Sequence, residues 1–299
     1  MRVVTPFDDL ELPGNVEAVL YTGPPSEPSG HEDAEFYVAP YMKSPAETLS
    51  FLDQMPKLQT VQLLTAGYEG VIDHLPDGVT LCNARGVHDA STAELAVTLT
   101  LASLRGIPEF VRAQQDGQWA FQLRPALADK TVLILGYGSI GQAVERRLAG
   151  FEVDVVRVAR SAREGVHPMT ELPDLLPTAD VIVVLVPLTE ESNGMIDAGF
   201  LARMKDGAVL VNVARGKVVQ TDALLAELET GRILAALDVT DPEPLPSHHP
   251  LWQAPGCLIS PHVGGPTSAF FPRAKRLVTE QVRRFVAGEP LEHVVRPGR

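Results

Sequence analysis

The stretch KTVLILGYGSIGQAVERRLAG, residues 130–150, is the strongest indication of the fold in this sequence. An apolar, β-branched run leads into Gly136, Gly138 and Gly141, which form the pattern G-x-G-x-x-G, and a helical pattern follows. The first glycine of such a turn permits a tight bend, the second admits a pyrophosphate, and the third lets helix and strand pack closely. Because the helix N-terminus adds amide donors and a partial positive charge, the stretch predicts a dinucleotide site.

Apolar runs recur after this turn, in the order VDVVRVA, DVIVVLVP, AVLVNVA, ILAALDV and CLISPH, and helical segments separate most of them. Runs that are apolar on both faces are typical of parallel strands covered by helices. We therefore predict the α/β class, with a doubly wound parallel Rossmann sheet and a nucleotide site at the carboxyl ends of its strands.

The flanking segments predict a second, smaller α/β unit. Residues 1–88 alternate short strands and helices punctuated by Pro and Gly, and FFPRAKRLVTEQVRRFVAG near the C-terminus has helical periodicity. The segment 91–105 is apolar almost all round, so we expect a helix buried between domains or between subunits. The expected division is 1–88, then 89–268 as the dinucleotide-binding domain, then 269–299 as a helix returning to the first domain.

The strand after the glycine turn leads into an arginine-rich stretch, VDVVRVARSAREG, residues 153–165. Ala159 stands where folds of this class often place an acid that accepts the ribose 2′-hydroxyl. Arg160 and Ser161 follow; a guanidinium pairs bidentately with phosphate oxygens, and a hydroxyl adds a donor. With Arg163 nearby, the stretch predicts a 2′-phosphate site and a preference for NADP(H), with NAD(H) as the second cofactor. The alternative is a group of ordinary surface arginines.

Charge and composition narrow the class of partner. A net charge of −13 argues against a general binder of nucleic acid or of anionic membranes. The N-terminus does not resemble a signal peptide, and no run approaches the about 20 apolar residues that span a bilayer. Cys82 and Cys257 lack metal-type spacing, so we expect reduced cysteines in a cytoplasmic protein and no metal site.

Three polar residues follow strand ends in the second half of the chain: Arg215, Glu243 and His262. Reduction of a carbonyl by a nicotinamide needs a proton donor at the oxygen, a cation for an anionic substrate, and a group that fixes the geometry. Histidine titrates near neutrality, so His262 suits the donor role, and a neighbouring Glu243 would favour its protonated form. Arg215 could pair with a carboxylate and polarise the adjacent keto oxygen. Taken singly, each residue has an ordinary alternative as a surface arginine, a loop glutamate or a capping histidine.

Several motifs in fixed order carry a resemblance to a known family. The D-isomer-specific 2-hydroxyacid dehydrogenases have motifs similar to LGYGSIG, ADVIVVLVPLTEESNGMI, MKDGAVLVNVARGKVVQTDAL, AALDVTDPEPLPSHHPLW and ISPHVGGPT of this chain. STAELAV and LDVTDPEPLP…HPL most resemble the glyoxylate/hydroxypyruvate reductases of that family, and the missing acid after the second strand resembles its NADP-preferring members. The resemblance implies a Rossmann domain inserted into a flavodoxin-like substrate domain that both chain ends form. It also implies a homodimer, and the helix expected at 91–105 would suit its interface.

The resemblance further implies catalytic and substrate-binding roles. Arg215 falls on a substrate-binding and catalytic arginine, Glu243 on the glutamate that orients the histidine, and His262 on the general acid/base. The main-chain amides of Ala66 and Gly67 would bind the substrate carboxylate, and the alternative there is an ordinary strand–helix turn.

Cofactor contacts are implied in the same way. Asp238 falls on an aspartate that contacts the nicotinamide end of the cofactor. The remaining cofactor-lining predictions, in the glycine turn and elsewhere, are Ser139, Ile140, Thr92, Pro187, Val213 and Gly264.

Together, these residues predict hydride transfer from NADPH to a small 2-oxoacid, with glyoxylate or hydroxypyruvate as the first candidates. One alternative is a phosphoglycerate, phosphite or formate-type dehydrogenase of the same fold. The other is a nucleotide-sensing binding protein similar to the transcriptional corepressors that keep this fold.

Overall fold

A computed structural model describes residues 1–24 and 29–298. The chain divides into two compact units, one built from Met1–His88 with Thr267–Arg299 and the other from Asp89–Pro266. No helix within the described ranges is long and apolar enough to cross a membrane.

The strands, in chain order, are β1 (Arg2–Thr5), β2 (Glu17–Leu20), β3 (Phe36–Val38), β4 (Thr60–Gln62), β5 (Thr80–Cys82), β6 (Thr131–Leu135), β7 (Asp154–Ala159), β8 (His167–Pro168), β9 (Val181–Val184), β10 (Val209–Asn212), β11 (Leu234–Leu237), β12 (Cys257–Ile259) and β13 (Val294–Arg296). The α-helices are α1 (Pro45–Thr48), α2 (Asp89–Leu104), α3 (Ile107–Gln115), α4 (Ser139–Leu148), α5 (Leu172–Leu175), α6 (Ala198–Arg203), α7 (Thr221–Glu229) and α8 (Phe270–Ala287).

The unit Asp89–Pro266 is built on a seven-stranded sheet with the order β12-β11-β10-β9-β6-β7-β8. Its neighbouring strands all pair in parallel. The chain order reverses between β6 and β9, which is where open sheets of this kind bind ligands at the carboxyl ends of their strands. The predicted α/β class with a parallel Rossmann sheet is confirmed.

Two hydrophobic cores cover the two faces of this sheet. Leu133 and Leu135 of β6 pack into one core, whereas Val132 and Ile134 pack into the other. Successive side chains of a strand point to opposite faces, so an apolar run such as TVLIL supplies both cores. This explains why the strands of the unit read as continuous apolar segments rather than as alternating patterns.

Helix α2 begins two residues before the predicted start and packs against α4, β10 and β11 of its own unit. Ala93, Ala96 and Leu99 belong to the core under the sheet, whereas Glu94 and Thr98 are exposed. The apolar character of this helix, which we expected to reflect burial between domains or subunits, is thus explained largely by packing within the unit.

The other unit has a six-stranded sheet with the order β13-β5-β4-β3-β1-β2. Strand β13 pairs antiparallel with β5, and the remaining pairs are parallel. Helix α8, which the sequence predicts, buries Phe270, Ala274, Val278 and Val282 at four-residue spacing in a core with Val3 and Phe36. Segments from both chain ends therefore build this unit.

Candidate active site

The glycine turn joins β6 to α4 with the geometry that its glycines predict. Gly136 has a φ of +107°, and a Cβ there would lie 2.6 Å from the carbonyl carbon of Leu185. A Cβ on Gly141 would lie 2.8 Å from the carbonyl oxygen of Gly136. A Cβ on Gly138 would meet nothing within 4 Å. The space over Gly138 is open, as approach of a pyrophosphate requires.

Helix α4 begins at Ser139, directly after this turn, and no side chain caps its N-terminus. The Ser139 hydroxyl donates to Asp89 Oδ1 at 3.1 Å, so it is directed toward the start of α2. Ile140 is half-buried and packs against the core beneath the sheet. The donors that this helix end offers to an anion are therefore the backbone N–H groups of its first turn.

A cavity of about 680 Å³ opens at the glycine turn. Its lining brings together predicted cofactor residues from three separate segments: Gly136, Gly138, Arg160, Ser161, Arg163 and Pro187. The other lining residues are Tyr137, Ala159, Met169, Leu185, Val186, Thr189, Glu191, Ser192 and Met195. The open glycine, the cavity and its guanidinium groups fit the phosphate-bearing part of a dinucleotide.

The arginines near this cavity have different partners. Arg157 Nε lies 2.9 Å from Glu145 Oε2, and this hydrogen bond raises the pKa of Arg157. Arg163 donates to the carbonyl oxygen of Tyr137, and its guanidinium lies 5.6 Å from the centroid of the Tyr137 ring. Arg160 is exposed and makes no hydrogen bond or ion pair with the part of the chain that the structure describes. Arg160 is therefore the cation with donors available to a phosphate.

The loop after Pro187 also faces this cavity, and sequence reasoning missed most of it. Glu191 accepts a hydrogen bond from Thr189 Oγ1 at 2.7 Å, which lowers the pKa of Glu191, and the charge of Arg160 acts in the same direction. Ser192 Oγ donates to the Pro187 carbonyl at 2.6 Å and accepts from Thr189 N at 2.8 Å. The hydroxyl residues of LTEES were the available signal, because such side chains close short turns.

His262 and Glu243, predicted to act together, are hydrogen-bonded. His262 Nδ1 lies 2.5 Å from Glu243 Oε1, and the two side chains are 36% and 39% exposed, so a ligand can reach them. The φ of His262 is +53°, a left-handed conformation that is uncommon for a residue with a side chain and often marks a functional position. Because Glu243 occupies Nδ1, Nε2 is the nitrogen that can exchange a proton with a ligand.

Asp238 holds the loop that carries His262. Its Oδ1 accepts from Ser260 Oγ at 2.6 Å and from Val263 N at 2.9 Å, and its Oδ2 accepts from Gly264 N at 2.8 Å. The carbonyl oxygen of Asp238 accepts from His262 N at 2.8 Å. The contact of Asp238 with the nicotinamide stays a prediction; in the structure its buried carboxylate organises the histidine loop.

Arg215 follows β10 in a segment that Asn212 ties together. Asn212 Nδ2 donates to the Arg215 carbonyl at 2.9 Å, and Ala214 N donates to Asn212 Oδ1 at 3.0 Å. Arg215 Nη1 donates to the Ala214 carbonyl at 2.7 Å. A Cβ on Gly216 would lie 1.8 Å from Thr240 O, so only glycine fits there. We did not predict Asn212 or Gly216, although both stand in the motif NVARG.

The predicted catalytic residues share one edge of the sheet, since Arg215, Glu243 and His262 follow the adjacent strands β10, β11 and β12.

Three of the residues predicted to line the cofactor are less accessible: Thr92, Val213 and Gly264 are buried. The Thr92 hydroxyl donates to Gly264 O at 3.2 Å. A Cβ on Gly264 would lie 3.0 Å from an oxygen of Asp238, so glycine allows the close approach.

Ala66 and Gly67 lie in the other unit, in the loop that follows β4. Ala66 is exposed and Gly67 is half-buried. Their substrate-binding role stays a prediction.

Within the described ranges, no three His, Cys, Asp or Glu side chains group in a way that could hold a metal ion.

Comparison with known proteins identifies the family. Residues 97–264 match the model of the D-isomer specific 2-hydroxyacid dehydrogenase, NAD binding domain. The human glyoxylate reductase/hydroxypyruvate reductase is 35% identical over 253 residues, covering 78% of this chain and 76% of the human protein. The glyoxylate reductase of Thermofilum pendens is 32% identical over 255 residues, covering 80% of this chain and 75% of that protein.

Solved structures similar to this chain belong to the same family. A D-isomer specific 2-hydroxyacid dehydrogenase from Xanthobacter autotrophicus, in complex with NADPH and MES, is 30% identical, with a TM-score of 0.83 and coverage of 99% of this chain and 98% of that one. An NADPH-dependent glyoxylate/hydroxypyruvate reductase from Sinorhizobium meliloti, in complex with NADP and sulfate, is 27% identical, with a TM-score of 0.81 and coverage of 98% and 97%. The chain belongs to the D-isomer-specific 2-hydroxyacid dehydrogenase family, a class of oxidoreductases.

Proposed function

We propose that this protein reduces a small 2-oxoacid with NADPH, with glyoxylate and hydroxypyruvate as the first substrates to test. The observation that carries the proposal is the His262–Glu243 hydrogen bond, at the same sheet edge as Arg215. The human and Thermofilum pendens relatives, named for reduction of these two substrates or of glyoxylate, support the choice. They favour it over the phosphoglycerate, phosphite, formate and corepressor-like alternatives.

The chain's own residues supply binding and proton transfer. NADPH, when bound, supplies a hydride for the carbonyl carbon. His262 donates a proton from Nε2 to the carbonyl oxygen, while Glu243 holds Nδ1 and stabilises the charged imidazolium. Arg215 pairs with the substrate carboxylate and stabilises negative charge on the carbonyl oxygen. Asp238 keeps the histidine loop in position.

The preference for NADP(H) over NAD(H) rests on the cavity beside the glycine turn. Arg160 and Ser161 line it, and Ala159 takes the place of the acid that would repel a 2′-phosphate. The relatives crystallised with NADPH or NADP support this assignment. We assign the dinucleotide-binding role to residues 89–268 and the substrate-binding role to residues 1–88 with 269–299, including the Ala66 and Gly67 amides.

We also propose a homodimer in the cytoplasm. An apolar segment after α3 leaves Trp119, Phe121 and Leu123 at 96%, 85% and 95% exposure, which is unusual for such large side chains in a monomer. This segment, rather than the largely covered α2, supports the dimer. The two free cysteines fit a reducing compartment. Light scattering after size exclusion tests the dimer, and a monomeric mass at micromolar concentration would rule it out.

Initial-rate assays on a panel of small 2-oxoacids, with NADPH and NADH side by side, test the function. We expect NADPH-dependent reduction of at least one panel member and its loss in His262→Ala. No turnover of any member by the wild-type protein refutes the proposal. Oxidation of phosphite or formate, which lack a 2-hydroxyl group, would instead favour the alternative dehydrogenases.

A further inference from the structure

The loop after β4 holds its backbone carbonyls in an unusual way. Three successive carbonyl oxygens, of Thr65, Ala66 and Gly67, accept hydrogen bonds from inside the unit. Ala84 N donates to Thr65 O at 2.8 Å, Asn83 Nδ2 donates to Ala66 O at 2.7 Å, and Thr65 Oγ1 donates to Gly67 O at 2.8 Å. The carbonyl side of this loop is therefore fully engaged.

The backbone N–H groups of the same peptides make no hydrogen bonds with the described part of the chain. In a trans peptide the N–H points opposite to the carbonyl, so each held carbonyl turns the following N–H away from its partner. These N–H groups belong to Ala66, Gly67 and Tyr68, and within residues 1–24 and 29–298 none of them has an acceptor. Successive backbone N–H groups of this kind form binding sites for anions.

We call the hydrogen bonds from Thr65 Oγ1 and Asn83 Nδ2 to the loop carbonyls the clamp. Buried amide side chains connect this clamp to the C-terminal part of the chain. Gln62 Nε2 donates to the Asn83 carbonyl at 3.0 Å, and Gln62 Oε1 accepts from Gln281 Nε2 at 2.8 Å. Gln281 Nε2 also donates to Glu292 O at 2.9 Å, and Gln281 Oε1 accepts from Glu292 N at 2.9 Å. Both glutamines are fully buried. Asn83 N donates to His293 O at 3.1 Å, next to β13.

The side-chain amides of Gln62 and Gln281 use both N–H donors and the oxygen in hydrogen bonds, and this fixes their orientation. Gln281 offers its two donors to two oxygens and its oxygen to a backbone N–H. Exchanging its oxygen and nitrogen would set oxygen against oxygen at two contacts. Buried networks that are satisfied in this way rigidify their surroundings and specify one conformation.

We propose that Thr65 and Asn83 are positioning residues for carboxylate binding. By holding the carbonyls of Ala66 and Gly67, they present the N–H groups of the loop to the carboxylate of the 2-oxoacid. The Gln62–Gln281 pair fixes Asn83 from behind and links the clamp to the segment around Glu292. This inference rests on the proposed function, because it takes the loop as the carboxylate site.

A matched pair of variants at Thr65 tests the clamp. Thr65→Val removes the hydroxyl at nearly constant shape, whereas Thr65→Ser keeps it. With glyoxylate and NADPH, we expect Thr65→Val to raise KM about tenfold, the effect of losing one well-placed hydrogen bond, with kcat changed less than about twofold. Thr65→Ser should return KM to near the wild-type value. A general folding defect would lower kcat or the melting temperature and would not be rescued in this way.

A second readout does not depend on turnover. Titration of the 15N-labelled protein with oxamate, a non-reacting 2-oxoacid analogue, should shift the Gly67 and Tyr68 amide signals. In Thr65→Val and in Asn83→Asp, which lacks the donor to Ala66 O, the half-saturating oxamate concentration should rise about tenfold. If Thr65→Val does not fold, Asn83→Asp carries the test alone.

Gln281→Met tests the connection behind the clamp, with exposed Gln54→Met as its control. Hydrogen exchange of the peptide containing residues 65–68 should be faster in Gln281→Met and unchanged in Gln54→Met. The possible failures are distinct. Absence of wild-type turnover overturns the proposed function, whereas wild-type turnover with normal KM and oxamate binding in Thr65→Val and Asn83→Asp overturns the clamp. If hydrogen exchange of the peptide containing residues 65–68 is unchanged in Gln281→Met, the Gln62–Gln281 pair does not support the clamp.

Discussion

Arg160→Ala should weaken NADPH binding and leave NADH binding nearly unchanged. Arg160 lines the cavity at the glycine turn and has no hydrogen bond or ion pair within the described part of the chain, so its removal leaves no internal partner exposed. Arg157 and Arg163 are engaged by Glu145 and by the Tyr137 carbonyl, so they are poor replacements.

The expected magnitude follows from the exposure of the guanidinium. A hydrogen bond to a charged group contributes about 1.5–3 kcal/mol, and an exposed, salt-screened pair lies at the low end of that range. A loss of about 1.5 kcal/mol corresponds to an increase of about tenfold in the Kd for NADPH. Because NADH has no 2′-phosphate, its Kd should change less than about twofold.

Fluorescence titration of the reduced cofactors measures both dissociation constants, and Arg203→Ala, an exposed arginine on α6, controls for net charge. The difference between the cofactors should shrink as ionic strength rises. The reciprocal variant Ala159→Asp should weaken NADPH binding by charge repulsion while providing an acceptor for the 2′-hydroxyl of NADH. If Arg160→Ala binds NADPH as tightly as the wild type does, the assignment of the 2′-phosphate site is wrong.

Three further predictions concern catalysis, the glycine turn and the thiols. Glu243→Gln should lower kcat about 100-fold with little change in melting temperature, because the histidine loses a charged partner; a normal kcat would remove Glu243 from the mechanism. Gly136→Ala should destabilise the fold by about 2 kcal/mol or more in urea titrations, since φ there is +107° and a Cβ meets backbone. Gly138→Ala should leave stability unchanged and raise the Kd for NADPH; equal stabilities of the two variants would contradict this. Burial raises the pKa of Cys82 to about 11 and of Cys257 to about 12, so the thiolate is scarce at pH 8. Both should react with Ellman's reagent much more slowly in the native than in the unfolded protein, and rapid native labelling would be the contrary result.

Local patterns predicted much of the nucleotide-binding unit. The run before Gly136, the glycine spacing and the helix after it lie within about one βα unit, so neighbouring residues carry the whole signal. Arg215, Glu243 and His262 could be predicted as a group because parallel strands bring their carboxyl ends to one edge. Helical periodicity correctly predicted α8, whose apolar residues recur at four-residue spacing.

Contacts between distant segments could not be predicted. The partners of the arginines are an example, because Arg163 and Tyr137 lie 26 positions apart and nothing in ARSAREG indicates which guanidinium is engaged. The antiparallel addition of β13 to β5 has no local signal, since three-residue strands show no clear periodicity. The burial of Gln62 and Gln281 also runs against their polarity, and it is compensated by hydrogen bonds that include their pairing across 219 positions.

The pairing of β13 with β5 has a consequence for synthesis on the ribosome. All strands of the seven-stranded sheet lie within Asp89–Pro266, so their partners are available once that segment has emerged. The six-stranded sheet is completed only later by β13, since Arg296 reaches Pro76 across 220 positions and Gln281 reaches Gln62 across 219. The loop of Ala66 and Gly67 thus lacks the contacts that Gln281 and His293 make behind it in the nascent chain, and an interrupted translation product would carry the glycine turn and the histidine without a finished substrate-binding unit.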